Sequence, residues 1–279
     1  MRAEKRRLGL VLGSDELSMS YRTGQGQVVQ TEILSCETGL RQGQLADLQP
    51  CLAELVDRFP RAVKRADVTL NVALPDPLFQ STELEFEVFP AQKKAADDLV
   101  AWQHAAVLDL DPATRAVGHV TGGAGDGTTK VFAHSVSQEL VTALQSQLWE
   151  HALLPSRIDA LGSYLFAQPT HQAQSDGIDL FIGNGWWRFN LRGTGLSPLY
   201  FAAWSEKDAS LAPVWSRLKR MVMSQGASWG NAGILRLIHH PERDITHVTE
   251  IARELGLEVD FMPHCKGKPL SSLVTEDAN

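Results

Sequence analysis

A mixed α/β fold built from a duplicated unit follows from three features of this 279-residue chain. Two segments read as strand, tight glycine turn, strand: Leu8 to Tyr21 around Gly13-Ser14-Asp15, and Ile178 to Leu191 around Gly183-Asn184-Gly185. One lies near the start of each half, and duplication of one unit is the simplest account of both. The third feature is the alternation of strand-like runs with helical stripes, separated by turn signals, which is the pattern of an α/β architecture.

Strands are predicted at Leu8 to Leu12, Leu17 to Tyr21, Val28 to Leu34, Val68 to Leu74, Glu83 to Phe89, Ala116 to Thr121 and Lys130 to Ala133. The second half supplies Ile178 to Ile182, Trp186 to Leu191, Leu199 to Ala203, Ile234 to Ile238 and Glu258 to Phe261. Four helices follow from apolar spacing. Ala95, Leu99, Trp102 and Ala106 define the first, and Val136, Leu140, Leu144 and Leu148 the second, with Ser135 and Gln138 as its capping box. Leu211, Val214, Leu218 and Met221 mark a third. Val248, Ile251 and Leu255 mark a fourth, ended by Gly256 in a left-handed cap. All four stripes are read as core-facing.

Composition narrows the function classes. With 43% hydrophobic residues the chain can bury a full core, and a formal charge of -7 argues against a nucleic-acid partner, which needs a concentrated basic surface. The basic cluster Arg2 to Arg7 is read as a solvated terminus. Cys36, Cys51 and Cys265 show neither metal spacing nor a disulfide framework, which fits a reducing compartment and makes cytoplasm the default. No run reaches the roughly 20 apolar residues of a membrane span.

Three further motifs are weighed and set aside. Gly122 to Lys130 resembles a phosphate-binding loop, but Thr128 stands where the lysine is required and a strand follows instead of a helix, so it is read as a hairpin loop. His239-His240, His247 and His264-Cys265 could suggest a metal site. Adjacent histidines on a strand point to opposite faces, however, and no metal is expected. No G-x-S-x-G nucleophile setting occurs. Trp186, Trp187, Trp204, Trp215 and Trp229 are read mainly as core, with an exposed anchor surface as the alternative.

The serial order of segments resembles the actin-like proteins of type IV pilus and type II secretion assembly, the PilM type. The likeness is carried by Gly9-Leu10-Val11-Leu12-Gly13-Ser14 and by Asn71-Val72-Ala73-Leu74-Pro75-Asp76 followed by Phe89-Pro90. Val131-Phe132-Ala133-His134 and Leu154-Pro155-Ser156-Arg157-Ile158-Asp159-Ala160-Leu161 complete it. The resemblance implies a two-lobed actin-like (ribonuclease H-like) fold. On that basis the first lobe is 1–166 with an inserted subdomain at about 80–152, the linker is 167–177, and a shortened second lobe is 178–279. The span from Arg192 to Ile245 is too short for the family's fourth subdomain, which is expected to be missing or reduced to a helix around Val214.

In such a fold the two glycine turns hold nucleotide phosphates, and a family aspartate two residues before each turn glycine holds hydrated magnesium. Here those positions are Val11 and Phe181, and His239-His240 replace the glycine pair that lies against adenine. Gly13, Ser14, Asp15, Gly183, Asn184 and Gly185 are therefore expected to be vestigial nucleotide loops, with no cofactor bound and no catalytic residue. The resemblance implies a non-catalytic cytoplasmic scaffold that docks the tail of a single-span membrane partner. The alternative is an active ATPase or phosphotransferase with ATP and magnesium, using Asp15, Glu16, Asp159 or Asp179 in place of the missing acids.

Overall fold

The structure is a computed structural model describing residues 6–23, 27–59, 68–121, 127–166, 177–192, 200–205, 216, 219–220, 223, 233–239, 245–254, 256–261 and 270–275. Strand β1 (Arg6–Leu12) turns at Gly13, whose N–H donates to the Glu16 carbonyl at 2.7 Å, into β2 (Glu16–Arg22) and then β3 (Val28–Ser35). Arg6 and Arg7 thus open a strand and are half-buried, where a solvated terminus was expected. Helix α1 (Gln49–Asp57) leads to β4 (Val68–Leu74).

An insert follows: β5 (Gln80–Phe86), α2 (Lys93–Leu108), β6 (Arg115–Thr121) and β7 (Thr129–Ser137). Helix α3 (Gln138–Glu150), β8 (Pro155–Ala160) and α4 (Leu161–Phe166) return to the first sheet. The second unit is β9 (Gly177–Ile182), β10 (Trp186–Arg192), β11 (Tyr200–Trp204), β12 (Ile234–His239), α5 (Thr246–Glu254) and β13 (Glu258–Phe261), and it is followed by α6 (Leu270–Val274).

The duplication is visible in topology. One five-stranded sheet runs β3-β2-β1-β4-β8 and the other β11-β10-β9-β12-β13, with two antiparallel pairs followed by two parallel pairs in each. The insert forms a separate antiparallel sheet, β5-β7-β6. The largest core lies around the first sheet, where Leu10, Leu12, Leu17, Met19 and Val72 are buried with Leu52 and Leu55 of α1 and Leu144 and Leu148 of α3. Ile178, Leu180, Leu235 and Leu237 form the matching core of the second sheet with Val248 and Ala252 of α5.

Several sequence expectations change. Helix α2 exists, but it packs through Ala96, Val100 and His104 rather than the predicted Ala95, Leu99, Trp102 and Ala106. The small Ala96 lets the helix approach the sheet, and the buried His104 imidazole is paired at both nitrogens: Nδ1 lies 2.7 Å from Thr82 Oγ1 and Nε2 2.9 Å from Ser135 Oγ. Ser135 is therefore committed inside β7, and the hydroxyl capping α3 is that of Ser137, which accepts from the Leu140 N–H at 3.3 Å.

The absence of a disulfide framework is also overturned. Cys36, just after β3, and Cys51, in α1, form a disulfide with their Cα atoms 6.4 Å apart, because α1 packs against the end of the first sheet. Strand β5 begins three residues earlier than predicted, and β7 is longer than Lys130 to Ala133. Strands β6 and β7 pair as the hairpin expected around Gly122 to Lys130, whose residues 122–126 lie outside the described ones. The helix predicted at Leu211 to Met221, most of the linker, His240, the His264-Cys265 pair, Trp215 and Trp229 also fall largely or wholly outside them. Trp186 and Trp187 are core and Trp204 is half-buried.

Candidate functional site

The two glycine turns meet tip to tip. Ser14 Oγ donates to the Asn184 carbonyl at 3.3 Å, and Asn184 Nδ2 to Asp15 Oδ1 at 3.4 Å. Gly185 takes a left-handed φ of 92°, and a Cβ there would stand 2.8 Å from Ser14 Oγ, so a glycine is what permits this approach. Gly183 repeats the Gly13 turn, with its N–H donating to the Trp186 carbonyl at 2.8 Å. Gly13, Ser14, Asp15, Gly183, Asn184 and Gly185 are thus brought together.

Behind the tips the sheets are joined by hydrocarbon. Val11 stands in register with Ala73 on β4, and by the same symmetry Phe181 stands in register with Ile238 on β12. All four are buried in one cluster with Leu161, Tyr164, Leu165, Trp186 and Val274. The Phe181 and Trp186 rings lie 4.5 Å apart. Such a cluster gains from burial and offers a cation no ligand. His239 ends β12, half-buried and in register with Ile182.

A cavity of about 520 Å³ opens beside the turn tips, lined by Ser14, Asp15, Cys36, Arg41, Asn184 and Gly185 among others. The four acids named as possible replacements do not converge on it. Asp15 lies at the rim, hydrogen-bonded to Ser14 Oγ at 3.1 Å, and Glu16 begins β2. Asp179 is buried within β9, in register with the equally buried Arg236. Asp159 lies one residue before the end of β8, where it is held by Arg157 and lies 3.1 Å from His134 Nε2. Burial alone would raise the Asp159 pKa, but the hydrogen bond and charge of His134 and the guanidinium of Arg157 together hold it at about 2. The Arg157 guanidinium also sits over the Tyr164 ring, 4.7 Å from its centre.

Sequence reading overlooked the polar tie between the sheets. Asp76, in the turn after β4, is fully buried; its Oδ1 accepts from Arg188 Nη1 of β10 at 2.7 Å and its Oδ2 from the Gly162 N–H at 2.9 Å. A Cβ on Gly162 would fall 1.1 Å from Arg188 Nη1, so the arginine crosses where only glycine leaves room. The available signal was Arg188 itself, a cation inside the aromatic run Trp186-Trp187-Arg188-Phe189, because a charge in a buried strand requires a partner.

A second concavity, about 220 Å³, lies where the insert meets the first sheet. Phe79, Val117, Val136, Val141 and Ile158 supply apolar wall, with His134, Gln145 and Arg157 as polar groups. Strands β6 and β8, which flank it, are each the last strand of their sheets among the described residues.

No family model matches the chain, and no curated protein matches it by sequence. Solved structures do match. The chain is similar to a chain of the PilM-PilN type IV pilus biogenesis complex, with a TM-score of 0.73 and 16% identity over 98% of this chain and 97% of that one. A Bacteroides thetaiotaomicron protein of unknown function with an actin-like ATPase fold gives a TM-score of 0.62 at 12% identity, over 99% and 98%. The cytoplasmic domain of EpsL, an inner-membrane component of the type II secretion system of Vibrio cholerae, gives 0.55 at 11%, over 97% and 93%. With its two sheets of matching strand order, its inserted subdomain and these near full-length likenesses, the chain has the actin-like ATPase fold.

Proposed function

We propose that this protein is a PilM-type, non-catalytic scaffold on the cytoplasmic side of a type IV pilus or type II secretion inner-membrane assembly, where it holds the cytoplasmic tail of a single-span membrane partner. The observation that carries the reading is the hydrocarbon contact of Val11, Ala73, Phe181, Trp186 and Ile238 behind the glycine turns. It occupies the positions from which an actin-like site would hold magnesium, and the turn tips touch each other instead of cradling phosphates. On this reading these residues serve to lock the two lobes together.

Two of the similar structures support the cellular setting: one is a pilus biogenesis complex, the other the cytoplasmic domain of an inner-membrane secretion component. The groove between insert and first sheet suits an extended peptide. It has an apolar wall, a cationic Arg157 and two flanking terminal strands to which a peptide backbone could bond. Calorimetry of the full chain with synthetic tails of single-span membrane proteins encoded beside its gene tests the reading. Micromolar binding that Val117→Arg abolishes is expected, and failure of every tail to bind overturns the scaffold. In parallel, micromolar binding of Mg-ATP would overturn the non-catalytic assignment.

A further inference from the structure

The Cys36–Cys51 disulfide is tied by hydrogen bonds to the contact between the two lobes. Cys36 follows β3, and its own N–H donates to the Asp15 carbonyl at 2.9 Å. Two residues on, Thr38 is fully buried; its N–H donates to the Ser14 carbonyl at 3.3 Å and its hydroxyl to the Gly13 carbonyl at 2.8 Å. The segment bearing Cys36 therefore holds Gly13, Ser14 and Asp15 of the first glycine turn, which in turn touch Asn184 and Gly185 of the second. A covalent bond from Cys36 to Cys51 of α1 fixes the backbone on which that contact hangs.

We propose that Cys36 and Cys51 form a reversible redox site, opened and closed by exchange with a small thiol of the glutathione class, and that its state passes through Thr38 and the first turn to Asn184 and Gly185. Cys36 forms part of the wall of the cavity of about 520 Å³ beside the turn tips, which gives a small thiol a path to it in the folded chain. The segment between the cysteines is built of turns: Leu40–Gln42 is a single 3-10 turn between Gly39 and Gly43, at left-handed φ of 70° and 76°, so it can give when the bond opens. Leu40, Leu48, Leu52 and Leu55, all buried, keep this segment and α1 on the first sheet in either state. In a reducing cytoplasm a disulfide is as a rule transient or redox-sensing. That setting is taken from the scaffold reading, but no membrane tail enters the experiment, so either reading can fail alone.

Opening begins when a glutathione thiolate attacks Cys36 Sγ through the cavity. The sulfur–sulfur bond breaks, a mixed disulfide forms on Cys36, and Cys51 leaves as a thiolate. A second glutathione thiolate attacks the glutathione sulfur of that mixed disulfide and releases Cys36. The protein gains two electrons and two protons, and one glutathione disulfide departs; closing is the reverse. With the bond open, α1 no longer restrains the backbone that carries Thr38, and the contact between the turn tips loosens.

The full chain, equilibrated natively in a series of reduced and oxidised glutathione mixtures, then acid-quenched, alkylated and mapped by peptide mass, reads the site. Cys36 and Cys51 should be alkylated in the reducing mixtures and joined to each other in the oxidising ones, with the change reversible in folded protein. Amide resonances of Ser14, Asp15, Asn184 and Gly185 should shift on reduction and return on reoxidation, while those of β5, β6 and β7 in the insert stay in place. Cys51→Ser in a reducing mixture should reproduce the reduced positions at Asn184 and Gly185. A bond that no mixture opens while the chain stays folded overturns the proposal, as does a pair that never joins. So do shifts confined to Cys36, Cys51 and their immediate neighbours, with Asn184 and Gly185 unmoved.

Discussion

Arg188 of the second sheet donates from Nη1 to Asp76 Oδ1 of the first at 2.7 Å, and both side chains are shut away from water. A buried pair of this kind is weak evidence of net stability, but breaking it by halves leaves an uncompensated charge. Asp76→Leu and Arg188→Met should each lower unfolding stability by about 3 to 5 kcal/mol. The combined Asp76→Leu, Arg188→Met variant should cost much less than the two together. A denaturant-melt double-mutant cycle reads this directly, and additive losses would contradict it.

Gly162→Ala should reproduce the same defect without touching either charge. The added methyl would stand 1.1 Å from Arg188 Nη1 and 2.7 Å from Asp76 Oδ1, so the arginine must leave. The expected loss matches that of breaking the pair, and the alanine should add little further destabilisation in the Arg188→Met background.

Restoring an acid at Phe181 should harm the fold and confer no nucleotide site. Phe181 is 1% exposed and its ring faces that of Trp186 at 4.5 Å. Phe181→Ala should cost about 3 to 5 kcal/mol, and Phe181→Asp more, since a carboxylate there is buried without a partner. Thermal melts with and without Mg-ATP should show a lowered midpoint that nucleotide does not raise.

Acid should weaken the protein in two stages. Burial, with the charges of Arg115 and His134 nearby, lowers the His104 pKa from 6.5 to about 4, so the unfolded chain binds a proton there that the folded chain refuses. Its contribution is full above pH 6.5 and is lost as pH falls towards 4. Asp159, held at about 2 against an ordinary 3.8, contributes fully above that ordinary value and loses its contribution as pH falls towards 2. His104→Gln should flatten the stability profile between pH 6.5 and 4 only, as read from denaturant melts at stepped pH.

Reduction of the Cys36–Cys51 disulfide should lower the melting midpoint but leave the chain folded. The bond closes a loop of 15 residues, for which the loss is about 3 kcal/mol. Cys36 is buried in the core of the first sheet and Cys51 packs against it half-buried, and that apolar packing persists without the bond. Melts with and without a thiol reductant, and of Cys51→Ser, should agree.

The duplicated hairpins were legible because strand alternation and glycine turns are local signals, and β1, β2, β9 and β10 lie where these signals put them. What escaped was set by distant partners. Periodicity found α2 but chose the wrong face, because its packing face contains His104, which reads as polar until Thr82 and Ser135 are seen to satisfy it. Strand β8 escaped because Pro155-Ser156-Arg157-Ile158-Asp159 lacks apolar alternation, being the last strand of its sheet. Val11 and Phe181 were recognised as unable to hold a cation. That they touch one shared apolar cluster could be read only from the two sheets together.

Helix α6 gives the chain a peculiar history in the cell. It lies on β1, β2 and β4, where Ser271 Oγ meets Ser20 Oγ at 2.8 Å and Asn71 Nδ2 donates to the Val274 carbonyl at 3.0 Å. A ribosome that has just finished β8 has delivered all five strands of the first sheet, but not the helix that covers one of its faces. At ordinary rates of synthesis that face waits on the order of ten seconds for residues 270–275 to emerge. During that interval Gly9, Ser20, Arg22 and Asn71 of that face lack their partners on the helix, and truncation before Leu270 would make the loss permanent.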